Sequence, residues 1–109
     1  MYIIKENRNI SLPASLLEEN IIMLDRGFTP HMASEIIQQL LHLDHKTGKE
    51  PIQIYINSPG GCVVSGLAIY DTIKSLKKEV ITMGIGMCAS MGAFMLTCGA
   101  KKGNRYITP

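Results

Sequence analysis

Segments with the apolar period of a β-strand alternate along this chain with segments that have the period of an α-helix. The clearest strand pattern is "PIQIYIN" at 51–57, in which Ile52, Ile54 and Ile56 share one side. A glycine loop follows, and apolar residues then recur every three or four positions, as in an amphipathic helix. Strands that alternate with helices in this way predict an α/β domain with a largely parallel sheet.

The remaining strands and the first helix follow from the same patterns. Short apolar runs predict three further strands, at 19–25, 79–86 and 105–108. We expect the first helix to begin at Thr29-Pro30, because threonine accepts from free amides and proline tolerates the first helical position. The stretch "HKTGKE" at 45–50 is expected to end that helix with a basic last turn and a glycine.

Two more helices are predicted after the strands at 51–57 and 79–86. The second helix is expected to bury one apolar face, formed by Val63, Leu67, Tyr70, Ile73 and Leu76. The third, "SMGAFMLTCGA" at 90–100, is rich in small residues and therefore suited to burial between layers.

Composition narrows the class of protein. With 109 residues, 46% hydrophobic and 18% charged, the chain is predicted to be one globular domain with its own core. A net charge of +2 is too small to predict a nucleic-acid partner. No apolar run has the length of a membrane span and the N-terminus lacks a signal-peptide pattern, so a cytoplasmic protein with no membrane partner is expected.

The cysteines predict neither a metal site nor a disulfide framework. They are odd in number and have no metal-ligand spacing; they are Cys62, Cys88 and Cys98. We expect reduced thiols that fill small gaps next to helices.

Two glycine-rich loops carry the most chemistry. "YINSPGG" and "GIGMCASMGA" each follow a strand and precede a helix, and ligands of parallel sheets bind beyond the carboxyl ends of the strands. Gly60 and Gly61 let backbone amides face a ligand, helix N-termini add further free N–H groups, and Ser90 offers a hydroxyl. Such amides suit an anion or a developing oxyanion. The alternative is that the glycines serve only a tight turn and that Ser90 is a helix N-cap.

Two known motifs resemble the second loop without matching it. Residues 84–89 fit G-x-G-x-x-A, but a dinucleotide site needs an acid some way downstream and no acid follows Glu79. The nucleophile pattern G-x-S-x-G fails because Cys88 stands at its first glycine.

The stretches "YINSPGG", "GLAIYDTIKSLKKEVIT" and "CASMGAFMLTCGAKKGNRYITP" resemble the proteolytic subunit of the ATP-dependent Clp protease, ClpP. The resemblance runs from about Leu16 to Pro109. It implies a ClpP/crotonase-like α/β fold of repeated ββα units with a largely parallel sheet, here lacking the C-terminal handle. Residues 1–15 would then be an N-terminal arm, and residues 16–109 the N-terminal part of a ClpP-like head domain.

The resemblance also implies site residues and partners. Ser90 matches the nucleophile of a Ser-His-Asp serine endopeptidase, and Gly61 and Met91 match the two backbone N–H donors of its oxyanion hole. Pro59 and Gly60 would shape the turn that presents Gly61. The family forms stacked heptameric rings, and hexameric ATPases thread unfolded proteins into them. The partner uses the ATP, so no cofactor or metal is expected in this subunit.

The triad's histidine and aspartate have no match in this chain. In the family the histidine follows shortly after the proline matching Pro109, so we expect a fragment that is inactive, or nearly so, on its own. The sequence has three other histidines that could replace it as the base, namely His31, His42 and His45. Two alternatives stay open, a non-catalytic ClpP-like subunit of mixed rings and a crotonase-like module that binds acyl groups.

Overall fold

In the computed structural model the described residues are 2–5 and 8–108, with side chains described from Leu12 to Thr108. The strands are β1 (Tyr2–Lys5), β2 (Arg8–Ser11), β3 (Ile21–Leu24), β4 (Ile52–Ser58), β5 (Val80–Cys88) and β6 (Arg105–Ile107). The helices are α1 (Leu12–Glu18), α2 (Pro30–His45), α3 (Val63–Ser75) and α4 (Met91–Cys98). From β3 onward, strands and helices alternate in the order that the sequence patterns predict.

The main sheet has four parallel strands. Its order is β3-β4-β5-β6, while β1 and β2 form a separate antiparallel pair. The prediction of an α/β domain with a largely parallel sheet is therefore confirmed. Because β4 and β5 are parallel neighbours, the loops that follow them leave the sheet at the same edge.

The core lies between one face of this sheet and the helices. Alternate residues of β4 have fully buried side chains, as the strand pattern predicts, and these are Ile52, Ile54 and Ile56. Helix α2 contributes a buried stripe at helical spacing, formed by Met32, Ala33, Ile36, Leu40 and Leu43. Each large side chain so buried contributes about 1.5–3 kcal/mol, which makes this face the main source of stability.

Helix α2 begins where the sequence predicts. The Met32 N–H donates to Thr29 Oγ1 at 3.0 Å, and Pro30 occupies the first helical position. The helix ends at His45, within the predicted "HKTGKE" segment. Local capping chemistry thus fixes the start of this helix before any tertiary contact is considered.

Only part of the predicted apolar face at α3 is buried: Ile73 is buried, and Tyr70 and Leu76 pack half-buried against the core. Val63 and Leu67 are 58% and 42% exposed, whereas Ser65 and Gly66 are buried. A Cβ on Gly66 would lie 2.3 Å from the Met91 side chain, so the smallest residues of α3 face α4. The prediction was wrong for Val63 and Leu67 because it counted apolar residues and ignored where a neighbouring helix needs room.

The predicted arm at 1–15 includes β1, β2 and the first residues of α1. Helix α1 runs across the predicted boundary between residues 15 and 16, and that division of the chain stays a prediction. Residues 1, 6, 7 and 109 lie outside the described residues, and with them the expectation attached to Pro109. Across the described part of the chain, no helix has both the length and the apolarity needed to cross a bilayer.

Candidate active site

The two glycine-rich loops lie against each other. Gly60 has a φ of +104°, and a Cβ built on it would lie 2.7 Å from Ser90 Cβ and 3.2 Å from Met91 N. No side chain fits at residue 60 without moving the loop that carries Ser90. The sequence predicts that these loops converge, and the backbone of one packs on the Ser90 side chain of the other.

Gly61 is held by the strand-like segment at Phe28. The Phe28 N–H donates to the Gly60 carbonyl at 2.9 Å, and the Cys62 N–H donates to the Phe28 carbonyl at 3.0 Å. This parallel bridge uses the groups on either side of Gly61, whose own N–H and carbonyl therefore face away from Phe28. Within residues 12–108, no hydrogen bond from the Gly61 N–H to a protein acceptor is found. That N–H is available to a ligand.

Ser90 has a backbone conformation that non-glycine residues rarely adopt. Its φ is 54° and its ψ is −121°, at the junction between β5 and α4, and the residue is exposed. Ser90 stands at the N-cap position of α4, as the alternative interpretation has it, but its hydroxyl makes no capping hydrogen bond to the helix. A serine on a strained strand-to-helix turn is the arrangement of a nucleophile elbow. Ser90 has this geometry although the local sequence lacks the G-x-S-x-G pattern.

Met91 is the first residue of α4, where backbone N–H groups have no partner within the helix. The next bonds of the turn run from the Gly92 N–H to Ala89 O and from the Phe94 N–H to Ser90 O. Its side chain is buried over Gly66, which fixes the helix start. The Met91 N–H, at the positive end of the helix dipole, is a second donor beside the Gly60–Gly61 turn.

Asn57 orders the end of β5, a role that the sequence argument missed. Its Oδ1 accepts a hydrogen bond from the Met87 N–H at 3.0 Å. A Cβ on Gly86, which has a φ of +75°, would lie 2.9 Å from the same oxygen. The pairing of β4 with β5 shifts register here, and β5 continues to Cys88, two residues past its predicted end. A polar residue directly before "SPGG", at the end of an apolar strand, was the available signal.

The three cysteines are free thiols, but they differ in their surroundings. Cys62 is exposed, so the expectation that it fills a gap is wrong. A hydrogen bond with the Ser65 side chain, together with backbone hydrogen bonds, lowers the pKa of Cys62. Cys88 donates to the Ile56 carbonyl at 3.3 Å, and burial raises the pKa of its thiol.

We expect iodoacetamide to alkylate Cys62 at least about tenfold faster than Cys88 at neutral pH, because the thiolate is the nucleophile. The lowered pKa of Cys62 means that its rate rises at a lower pH than the rate of Cys88. Peptide mapping of samples quenched across a pH series measures both rates. Ser65→Ala should move the Cys62 profile to higher pH. A Cys62 profile that lies at or above that of Cys88 would contradict the assignment.

The histidines of α2 make contacts of their own. His31 Nε2 lies 2.8 Å from Glu35 Oε1, with the His31 side chain 86% exposed. His45 Nδ1 lies 2.8 Å from the Leu41 carbonyl oxygen, near the end of the helix, and His42 is exposed. No hydrogen bond joins any of the three to Ser90 within the described side chains. None of them has the contact that a general base for Ser90 needs.

The site therefore combines an exposed serine on a strained turn with the start of α4 and with the Gly60 backbone that packs on the serine. A hydroxyl so placed, beside amides suited to an oxyanion, fits nucleophilic attack on a carbonyl. The family model for Clp protease matches residues 4–109, which is nearly the whole chain. The four-stranded parallel sheet with its helices agrees with the ClpP/crotonase-like fold of that family. On this match, the chain belongs to the Clp protease family.

Proposed function

We propose that this chain is the proteolytic subunit of an ATP-dependent Clp-type protease, with Ser90 as its nucleophile. The observation that carries the proposal is the strained, exposed Ser90 packed against the Gly60–Gly61 turn. Strain of this kind costs about 1–3 kcal/mol and persists where the surrounding structure holds it for a function. Family membership supports the same chemistry.

In the proposed reaction the Ser90 hydroxyl attacks the carbonyl carbon of a peptide bond. The carbonyl oxygen becomes an oxyanion, which the N–H groups of Gly61 and Met91 stabilise. Loss of one such donor typically lowers kcat by about a hundredfold to a thousandfold. The attack also requires a base that accepts the hydroxyl proton.

The isolated chain should be a poor peptidase. No histidine follows His45 in the sequence, and no acid follows Glu79. His31 and His45 contact Glu35 and the Leu41 carbonyl, both on α2. Without a base in contact, we expect the Ser90 hydroxyl to attack slowly at neutral pH, and faster only where the solvent supplies the base.

The proposed partners follow from the family. We propose that the chain associates into rings and that a hexameric ATPase delivers unfolded protein substrates to them. Membership in the Clp protease family supports both proposals. The exposed apolar side chains of Val63, Val64 and Leu67 are available to contacts between subunits.

A fluorophosphonate probe tests the nucleophile in the 109-residue chain. The Ser90 oxygen would bond to phosphorus, fluoride would leave, and the hydroxyl proton would pass to solvent base. We expect Ser90 to react at least about a hundredfold faster than Ser75, because the adjacent donors stabilise the developing charge. Mass spectrometry of the digested adduct identifies the modified residue. The reaction should accelerate with rising pH, since solvent supplies the base.

Two variants serve as controls for this experiment. Ser90→Ala should abolish the adduct, and Ser75→Ala should leave it unchanged, because Ser75 lies on α3 and its hydroxyl donates to Thr72 O. Equal labelling of Ser75 and Ser90 would contradict the proposed nucleophile. Peptide cleavage by the isolated chain that Ser90→Ala abolishes would contradict the low activity that we propose for it.

A further inference from the structure

Ser58, the last residue of β4, is bonded to both loops of the site. Its side chain is fully buried, and its Oγ accepts a hydrogen bond from the Gly60 N–H at 3.2 Å. Its carbonyl oxygen accepts from the Ala89 N–H at 3.1 Å. Gly60 directly precedes the Gly61 donor, and Ala89 directly precedes Ser90. One residue therefore fixes the backbone on both sides of the proposed reaction centre.

The first turn of α4 also rests on Ser58. A Cβ on Gly92 would lie 2.7 Å from the Ser58 carbonyl oxygen, so the helix approaches this residue as closely as a glycine allows. The carbonyl contact sets the position of Ser90 and Met91, while the hydroxyl contact sets the turn at Gly60. Together with the Phe28 bridge, this buried residue thus helps to set the distance between the nucleophile and the oxyanion donors.

Buried hydroxyls that make one hydrogen bond are common in protein cores. Such a bond often only satisfies the hydrogen-bonding capacity of the buried group. Thr82 provides the comparison. It is as fully buried as Ser58, and its hydroxyl donates to the Leu96 carbonyl at 2.8 Å, which joins β5 to α4 away from the two loops. If these buried hydroxyls contribute only to stability, then loss of the Ser58 hydroxyl and loss of the Thr82 hydroxyl should change the reactivity of Ser90 by the same amount.

We propose that Ser58 is a positioning residue, whose hydroxyl holds the Gly60–Gly61 turn so that the Gly61 N–H faces the oxyanion formed at Ser90. The inference rests on the proposed function of Ser90. Ser58 itself touches neither substrate nor the reacting atoms. Without its hydroxyl, the N–H of the buried Gly60 loses its acceptor, and the turn shifts. A displacement of about 1 Å in such a site can lower a rate about a hundredfold.

The experiment compares Ser58→Ala with Thr82→Val in the full chain, by two measurements. Amide hydrogen exchange followed by NMR measures the hydrogen bond itself and does not depend on any reaction. We expect exchange of the Gly60 N–H to rise about tenfold or more in Ser58→Ala, relative to the Ile54 N–H within the core. In Thr82→Val that ratio should stay as in the natural sequence. An unchanged ratio in Ser58→Ala would overturn the proposal.

The second measurement is the rate of Ser90 labelling by the fluorophosphonate. Ser58→Ala should lower this rate by about tenfold to a hundredfold, at equal fraction folded, and Thr82→Val by less than about threefold. Ser58→Cys, which keeps a weak acceptor, should recover part of the rate. It also replaces the alanine variant if that variant does not fold. Equal losses of the labelling rate in Ser58→Ala and Thr82→Val would mean that Ser58 has a purely structural role.

The two measurements separate this inference from the proposed function. If Ser90 of the natural sequence does not react with the probe, the proposed nucleophile fails, and the exchange ratio still decides whether Ser58 holds the Gly60 turn. If Ser90 reacts and Ser58→Ala reacts as fast, the nucleophile stands and the positioning role fails.

Discussion

Gly60→Ala is expected to destabilise the protein by about 3 kcal/mol and to remove the reactivity of Ser90 with a serine-directed probe. Two costs combine. The φ of +104° disfavours any L side chain, and the new Cβ would lie 2.7 Å from Ser90 Cβ. Overpacking of this kind moves backbone, and here the backbone that moves carries the proposed nucleophile. Urea unfolding measures the stability, and labelling of the folded variant measures the site.

Gly103→Ala is a matched control for that substitution. Gly103 has a φ of +98°, close to that of Gly60, but nothing lies within 4 Å of the position its Cβ would take. We expect the free energy of unfolding of this variant to fall only by the backbone cost of about 1–2 kcal/mol. Ser90 should remain reactive. Similar losses of stability in both variants, with Ser90 still reactive in both, would mean that the Gly60 turn does not pack on Ser90.

Ser90→Gly is expected to stabilise the protein by about 1–2 kcal/mol while it removes the proposed nucleophile. Ser90 has a φ of 54° with a ψ of −121°, a conformation that glycine adopts without strain. Its hydroxyl makes no capping bond to α4, so little stabilisation is lost with the side chain. A gain in stability on removal of the proposed nucleophile would be the usual trade between stability and function. The midpoint of urea unfolding, with an unchanged m-value, measures the gain.

Two variants distinguish backbone strain from other effects of the substitution. Ser90→Ala keeps the Cβ and therefore the strain, so its stability should stay within about 0.5 kcal/mol of the natural sequence. Asn20 also has a positive φ, of 64°, but asparagine tolerates it, and its Oδ1 accepts a hydrogen bond from Lys46. Asn20→Gly should therefore give no gain. Equal stability of the glycine and alanine variants at residue 90 would show that Ser90 is not strained.

Local chemistry explains why much of the fold was predictable. The cap at Thr29-Pro30 and the alternation along β4 involve residues that are close in sequence, and both are found as predicted. The face of α3 was not predictable in this way. Gly66 is buried because the side chain of Met91 occupies the space beside it, and the two residues are far apart in sequence. The end of β5 was misplaced for the same reason, since Asn57 on another strand prolongs it.

For the candidate site, the residue types and their order along the chain are enough to predict where the loops lie. Glycines at 60 and 61, a serine at 90 and an alternating order of strands and helices were enough to expect two loops at one edge of a parallel sheet. Three features of the site are visible only in the folded chain: the Gly60 backbone packs on Ser90, Ser90 is strained, and Ser58 bonds to both loops. Such contacts depend on how β4 and β5 are paired and how closely α4 approaches them. Spacing along a chain carries no information about distances of that kind until the core has fixed the strands side by side.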